Sequence, residues 1–237
     1  EFTAITKWMN YKYCNEKDIT KREYYKRRVY ALVFTMHHYM GCRTKELLNL
    51  KWKHITINPN DSKWDKSTNR VVHIPADNSK TGKSRDIIAP IAQQVKRLIR
   101  WYREMGLEID ERGDNYVFPR LTDTAKNENV PTSDVAWTKR LRKVLAGAER
   151  DGVIDLRGRN ITNYSARHHY ITEAIQRGVD IYDVALNAGT SLNYIEKTYS
   201  HITTLMRSRE LTKGLGRQAT YDPLKDEENL KSKRMVE

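Results

Sequence analysis

Apolar residues recur at helical spacing over most of this chain and switch to alternation in one central stretch. Thr20-Lys21-Arg22-Glu23 reads as a capping box: Thr20 accepts from the third helical amide and Glu23 reaches back. The helix it opens is predicted to run to about Met40, with Val29 to Met36 apolar on most faces and so central, and Gly41 as its stop. A short helix follows from about Thr44 to Leu50, with Trp52 and Ile55 packed behind it. The period then changes. His54–Asn58, Arg70–Pro75 and Arg85–Ala89 alternate as short strands. The segment from Asn58 to Ser67 separates the first two, Asp77–Lys83 forms a basic hairpin tip between the last two, and Pro90 closes the sheet. Beyond it the pattern is helical again. Ile91 to Met105 is amphipathic, Asn115–Pro119 is an extended link and Arg120–Pro131 a polar loop. Ser133 caps a helix through Val135, Trp137, Leu141 and Val144, and Thr162 or Asn163 opens one that runs to Arg177. Asp180 caps a short helix ending at Gly189, and Ser191 caps the next, which carries Tyr194 and Tyr199. The expected class is α+β, mostly α-helical, with a small three-stranded antiparallel sheet.

Charge narrows the partner. Lys and Arg total 43 against 30 acidic residues, a net charge of +13, and this favours a polyanion. No apolar run approaches the roughly 20 residues that span a bilayer, and no basic amphipathic helix ends in an aromatic face. Nucleic acid is therefore the expected partner and a membrane is not. Cys14 and Cys42 have neither metal-ligand spacing nor a disulfide framework, so both read as reduced thiols in a cytoplasmic protein. A start at Glu1-Phe2 leads to the expectation of a fragment whose N-terminal part has been removed. The last 16 or so residues are charged and lack apolar periodicity, and the expected division is a domain over 1–206 followed by a C-terminal extension over 207–237.

Four segments carry candidate chemistry. The first is Gly41-Cys42-Arg43-Thr44-Lys45-Glu46-Leu47-Leu48-Asn49-Leu50-Lys51-Trp52. The second is Ser79-Lys80-Thr81-Gly82-Lys83 between two strands. The third is Tyr164-Ser165-Ala166-Arg167-His168-His169-Tyr170, and the fourth runs from Ala188-Gly189-Thr190-Ser191 to Lys197-Thr198-Tyr199-Ser200-His201. Taken singly, each has an ordinary reading: a surface Arg before a helix, a solvated hairpin tip, a polar helix face, or one Tyr among 14. In this order the set resembles the catalytic domain of tyrosine recombinases, the phage integrase family, over roughly Thr3 to Met206.

The resemblance implies a metal- and ATP-independent enzyme, without cofactor, that cuts and rejoins DNA. Arg43 and Arg167 would clamp the scissile phosphate, an Arg fork being able to hold two phosphate oxygens at once. Glu46 would support Arg43, and His168 is the usual neighbour of Arg167. Lys80 would protonate the departing 5′ oxygen, since an alkoxide leaves poorly without an acid. Lys83 is the alternative acid or a contact to the DNA backbone, and Arg85 would contact DNA. Tyr199, nine residues after Thr190, falls in the register of the nucleophile that forms a 3′-phosphotyrosine. Two positions depart from the family pattern: Tyr164 and Thr190 stand where histidine is usual. A phenol of pKa ~10 is ionised to only about one part in 10³ at pH 7, so the loss of both predicts a slower enzyme. His168, His169 and His201 are the alternative bases, with His168 pointing about 100° from Arg167 around its helix. The expected partners are double-stranded attachment sites, with a homotetramer assembled on DNA and residues 207–237 docking on a neighbouring subunit. The competing readings are a DNA-binding relative impaired in catalysis and a type IB topoisomerase or telomere resolvase.

Overall fold

The computed structural model describes residues 1–121 and 129–206, the last six as backbone only. The chain opens with α1 (Phe2–Tyr11), followed by α2 (Lys21–Met40) and α3 (Thr44–Leu48). Next come β1 (Ile55–Thr56), α4 (Lys63–Thr68), β2 (Arg70–Ile74) and β3 (Arg85–Ala89). Five helices complete it: α5 (Ala92–Glu104), α6 (Asp134–Arg150), α7 (Tyr164–Gln176), α8 (Ile181–Ala188) and α9 (Leu192–Met206). The α+β class with a small antiparallel sheet is as expected. Residues 207–237, and so their proposed docking role, lie outside the described residues.

Local chemistry places most of these boundaries. The Thr20 hydroxyl accepts from the Glu23 amide at 3.1 Å, while the Glu23 carboxylate itself accepts from Arg27 and Arg140. Helix α2 ends at Gly41, whose φ of 60° is a left-handed conformation that costs glycine little. Ser133 and Asp180 cap α6 and α8, and Ser191 accepts from Tyr194 at the start of α9. The sheet runs β1-β2-β3, all antiparallel, with Val72 opposite Ile87 and Ile74 opposite Arg85. Val72, Ile74, Ile87 and Ala89 face the core, whereas His73 and Asp86 pair on the solvent face.

Three elements differ from the sequence expectation. Helix α1 was not foreseen, although Ile5, Trp8 and Met9 are buried; no side chain caps its start, so the usual entry signal is missing. It packs on α6, where Gly147 makes room for the Trp8 ring and Asp151 accepts from the indole nitrogen at 2.8 Å. Helix α4 falls in the segment read as a separator. It is capped by Ser62 and buries nothing, so hydrophobic patterning could not reveal it. The strand expected over His54–Asn58 contracts to Ile55–Thr56.

Two apolar clusters organise the interior. The larger spans α1, α2, α5, α6 and the sheet, with Val33, Met36, Leu47, Trp52 and Leu98 among its buried members. The smaller joins α7, α8 and α9 through Ile171, Ile175, Val184, Ala188, Ile195 and Tyr199. Among the described residues, no helix is long and apolar enough to cross a membrane.

Candidate active site

The polar groups of interest gather where the two clusters meet, around the C-terminal end of α8. That helix stops at Gly189, with φ at 70°, and its last carbonyls carry the negative end of the helix dipole. Three guanidinium groups converge there. Arg43 donates to the Gly189 carbonyl at 2.9 Å, Arg85 donates to the Ala188 carbonyl at 3.2 Å, and Arg167 donates to the Ala188 carbonyl as well. A Cβ on Gly189 would lie 2.3 Å from the Arg85 guanidinium carbon, and the left-handed backbone there strains any other residue, so the position favours glycine.

Glu46 holds the first two arginines in place. Its carboxylate is 1% exposed and accepts from Arg43 at 2.8 Å and from Arg85 at 2.7 and 3.2 Å. The Arg43 amide adds a fourth bond at 2.9 Å, closing a capping box at the start of α3. Burial pushes the Glu46 pKa up, but the hydrogen bonds from Arg85 and Arg43 prevail and hold it below the ordinary carboxylate range. The i,i+3 spacing read from the sequence thus becomes a charged, buried bracket. Arg85, expected at the DNA, has its guanidinium turned inward onto Glu46 and Ala188.

Arg167 is 1% exposed, and it bridges the clusters by also donating to the Gly41 carbonyl at 2.9 Å. Its Nε and second terminal nitrogen have no hydrogen-bond partner, and among the described residues it forms no salt bridge. A buried cation with donors unspent is costly unless an anion completes it. The Tyr164 ring lies alongside, with the Arg167 guanidinium carbon 5.8 Å from its centroid.

Gly41 fixes one of the two carbonyls that aim Arg167. A Cβ there would sit 2.1 Å from the Tyr170 ring, and the backbone is left-handed. Gly41→Ala is therefore expected to destabilise the protein by roughly 3 kcal/mol from combined strain and overpacking. Thermal unfolding should show Tm lowered by about 10 °C; an unchanged Tm would mean that the ring moves aside freely.

Tyr199 enters from α9 and is buried in the smaller cluster, 4% exposed. Its hydroxyl lies 2.5 Å from Nδ1 of His168, the residue next to Arg167. Burial pushes the phenol's pKa above its ordinary value, Tyr194 and Tyr164 add to this, and Arg167 opposes it. Burial and the Arg167 charge hold the His168 pKa below its ordinary value. The imidazole is therefore neutral near pH 7, and in its Nε2–H tautomer Nδ1 can accept the phenol proton. Helical geometry alone placed His168 away from Arg167; the structure has it reach the phenol because α9 packs against that flank of α7. His169 turns instead toward α2, where it meets His38. The His201 side chain lies outside the described residues.

The two family-divergent positions border this group. Tyr164 is 37% exposed at the start of α7, its ring edge-on to His168 at 4.8 Å. Thr190 follows Gly189, its amide donating to the Ala185 carbonyl at 3.0 Å. Lys80 and Lys83 are exposed on the tip between β2 and β3. Sequence reading missed Asn78, which ties that tip to α3: it donates to the Glu46 carbonyl at 2.9 Å and accepts from Asn49 at 3.2 Å. An Asn two residues before the lysine in a turn was the available signal.

The Phage integrase family model matches residues 11–205. No curated protein sequence matches the chain. Among solved structures, the XerH site-specific recombinase bound to difH substrate is similar with a TM-score of 0.57 at 16% identity, covering 90% of this chain and 51% of that one. The Tn1549 transposon integrase (residues 82–397 of that protein) in complex with circular intermediate DNA is similar at 0.58 and 14% identity, covering 88% and 62%. The chain thus spans between half and two thirds of each of these structures, and at such identities the likeness speaks for the fold. With the family model matched over most of its length, this chain belongs to the phage integrase family.

Proposed function

We propose that the chain is the catalytic domain, residues 1–206, of a site-specific recombinase that cuts and rejoins double-stranded DNA through a 3′-phosphotyrosine at Tyr199. One observation carries this reading: a buried Arg167 with two unpartnered nitrogens sits beside Arg43 at the end of α8, and the adjoining His168 contacts the buried Tyr199 hydroxyl. A phosphodiester phosphate is the anion that would satisfy both arginines. The net charge of +13 and the DNA complexes formed by the similar recombinase and integrase agree with that partner.

In the proposed reaction the phenol oxygen bonds to phosphorus and the bond to the 5′ oxygen breaks. The phenol proton passes to Nδ1 of His168, and Lys80 delivers a proton to the 5′ oxygen. Arg43 and Arg167 stabilise the charge that builds on the nonbridging oxygens, each such donor being worth about 3 kcal/mol in comparable sites. The phosphotyrosine conserves the energy of the broken bond, so a 5′-hydroxyl from another strand can reverse the steps without ATP. Glu46 and Arg85 act as positioning residues: they fix Arg43 and leave Lys83, at the hairpin tip, to contact the DNA backbone. Assembly as a homotetramer on DNA and a docking role for residues 207–237 belong to the same proposal.

A duplex nicked close to the cleavage site, which lets the cut end diffuse away, should trap a covalent protein–DNA adduct. Sequence-specific binding with no adduct would instead support a DNA-binding relative impaired in catalysis. Relaxation of supercoils without site preference would support a topoisomerase. The role given to His168 has its own test. His168→Gln can still hydrogen-bond the phenol but cannot take its proton, so adduct formation should slow by about 10²-fold. An unchanged rate would remove His168 from the reaction.

A further inference from the structure

On the opposite flank of α7 from Tyr199, three Lewis-basic side chains point at one another across the α2–α7 contact. His38 comes from α2; His169 and Glu173 come from α7, one turn apart and so on one helical face. Nε2 of His38 lies 2.9 Å from the Glu173 carboxylate, and Nδ1 of His38 lies 3.3 Å from Nδ1 of His169. His169 is itself 3.9 Å from the same Glu173 oxygen. One donor atom from each residue can be chosen so that all lie within 4.8 Å of one another.

We propose that His38, His169 and Glu173 form a structural site for a zinc-like divalent cation that clamps α7 to α2, apart from the strand-transfer chemistry.

The donor set selects the class of ion. Two imidazoles and one carboxylate suit zinc and its neighbours, whereas calcium and magnesium require oxygen ligands. Both histidines are held below their ordinary pKa, His38 to about 4, with burial as the main cause and the other imidazole adding to it for His38. Zinc takes imidazoles in their neutral form. Without an ion, a hydrogen on Nε2 of His38 serves the Glu173 carboxylate and one on Nδ1 of His169 serves Nδ1 of His38, so the three side chains are already gathered by hydrogen bonds. A divalent ion accepts all three lone pairs and balances the carboxylate.

The surroundings fit. The Phe2 ring covers both imidazoles, 4.2 Å from His38 and 5.0 Å from His169 between ring centroids, and shields that side from water. His38 is nearly buried, while the side chains of His169 and Glu173 are 42% and 40% exposed, which leaves a path for the ion and room for a water ligand. Metal–ligand distances of about 2.0–2.2 Å imply donors roughly 3.4 Å apart, so the two exposed side chains need shift only by about an ångström.

The test uses the full 237-residue chain, untagged and stripped with chelator, with zinc chloride as the probe and magnesium chloride as control. Calorimetry should show one zinc per chain. A hundredfold excess over Kd should raise Tm by about 5 °C or more, and magnesium should do neither. His169→Asn and Glu173→Gln alter exposed ends of the cluster and leave the fold intact; each should weaken zinc binding at least ~10-fold and abolish the Tm shift. Cobalt(II) should give the visible absorption of a nitrogen- and oxygen-ligated site in the wild type and lose it in both variants. No saturable binding, or binding unchanged in the two variants, would show that the cluster is a hydrogen-bonded clamp and overturn the proposal.

Discussion

Tyr199→Phe is expected to form no covalent adduct with a nicked duplex while binding that duplex as tightly as the wild type. The phenylalanine ring keeps the packing against Ile171, Val184, Ala188 and Ile195 that buries this position. What it loses is one hydroxyl and its contact with His168, a change of about 1 kcal/mol or less in stability. Duplex affinity is expected to rest on phosphate contacts over the basic surface, which do not need the phenol. A folded, DNA-binding, adduct-free variant is thus the predicted combination. Adduct formation at even a hundredth of the wild-type rate would assign the nucleophile elsewhere, Tyr194 being one neighbour, at 6.5 Å between ring centroids.

Arg167→Lys has the next largest expected effect. Lysine keeps the charge but not the planar fork, and this arginine uses its fork in two directions. One terminal nitrogen is fixed by the Gly41 and Ala188 carbonyls, which leaves Nε and the other terminal nitrogen for a phosphate. An ammonium can satisfy the carbonyls or reach the phosphate, and it cannot present two parallel donors to the latter. Single-turnover cleavage should therefore slow by about 10²–10³-fold, with duplex affinity changed only a few-fold. A loss confined to affinity, with the cleavage rate of bound complex unaltered, would show that Arg167 binds DNA without acting on the transition state.

Much of this was legible in the sequence, and the gaps have physical reasons. The turn from Gly41 to Glu46 could be read because a left-handed stop followed by an i,i+3 capping pair is local chemistry, fixed within a few residues. The Ser191 cap of α9 was legible for the same reason, whereas the nine-residue step from Thr190 to Tyr199 took its meaning from the family resemblance. Strand alternation sets Arg85 on one face with the buried Ile87 and Ala89, and this period is what turns its guanidinium toward Glu46. His168 could not be placed from its own helix, because its partner arrives on α9, 31 residues later in the chain. The Ala188 and Gly189 carbonyls were invisible to residue-type reasoning, since any backbone supplies a carbonyl and only the tertiary fold aims it. The pair formed by His38 and His169 was hidden likewise by separation along the chain.

In the proposed reaction Tyr199 attacks a phosphorus held by Arg43 and Arg167. Mass spectrometry of the protease-digested adduct tests this most directly, by locating the residue that carries the nucleotide. The predicted result is a 3′-phosphate ester on the peptide containing Tyr199. A nucleotide on any other residue, or a 5′-phosphate linkage, would contradict it.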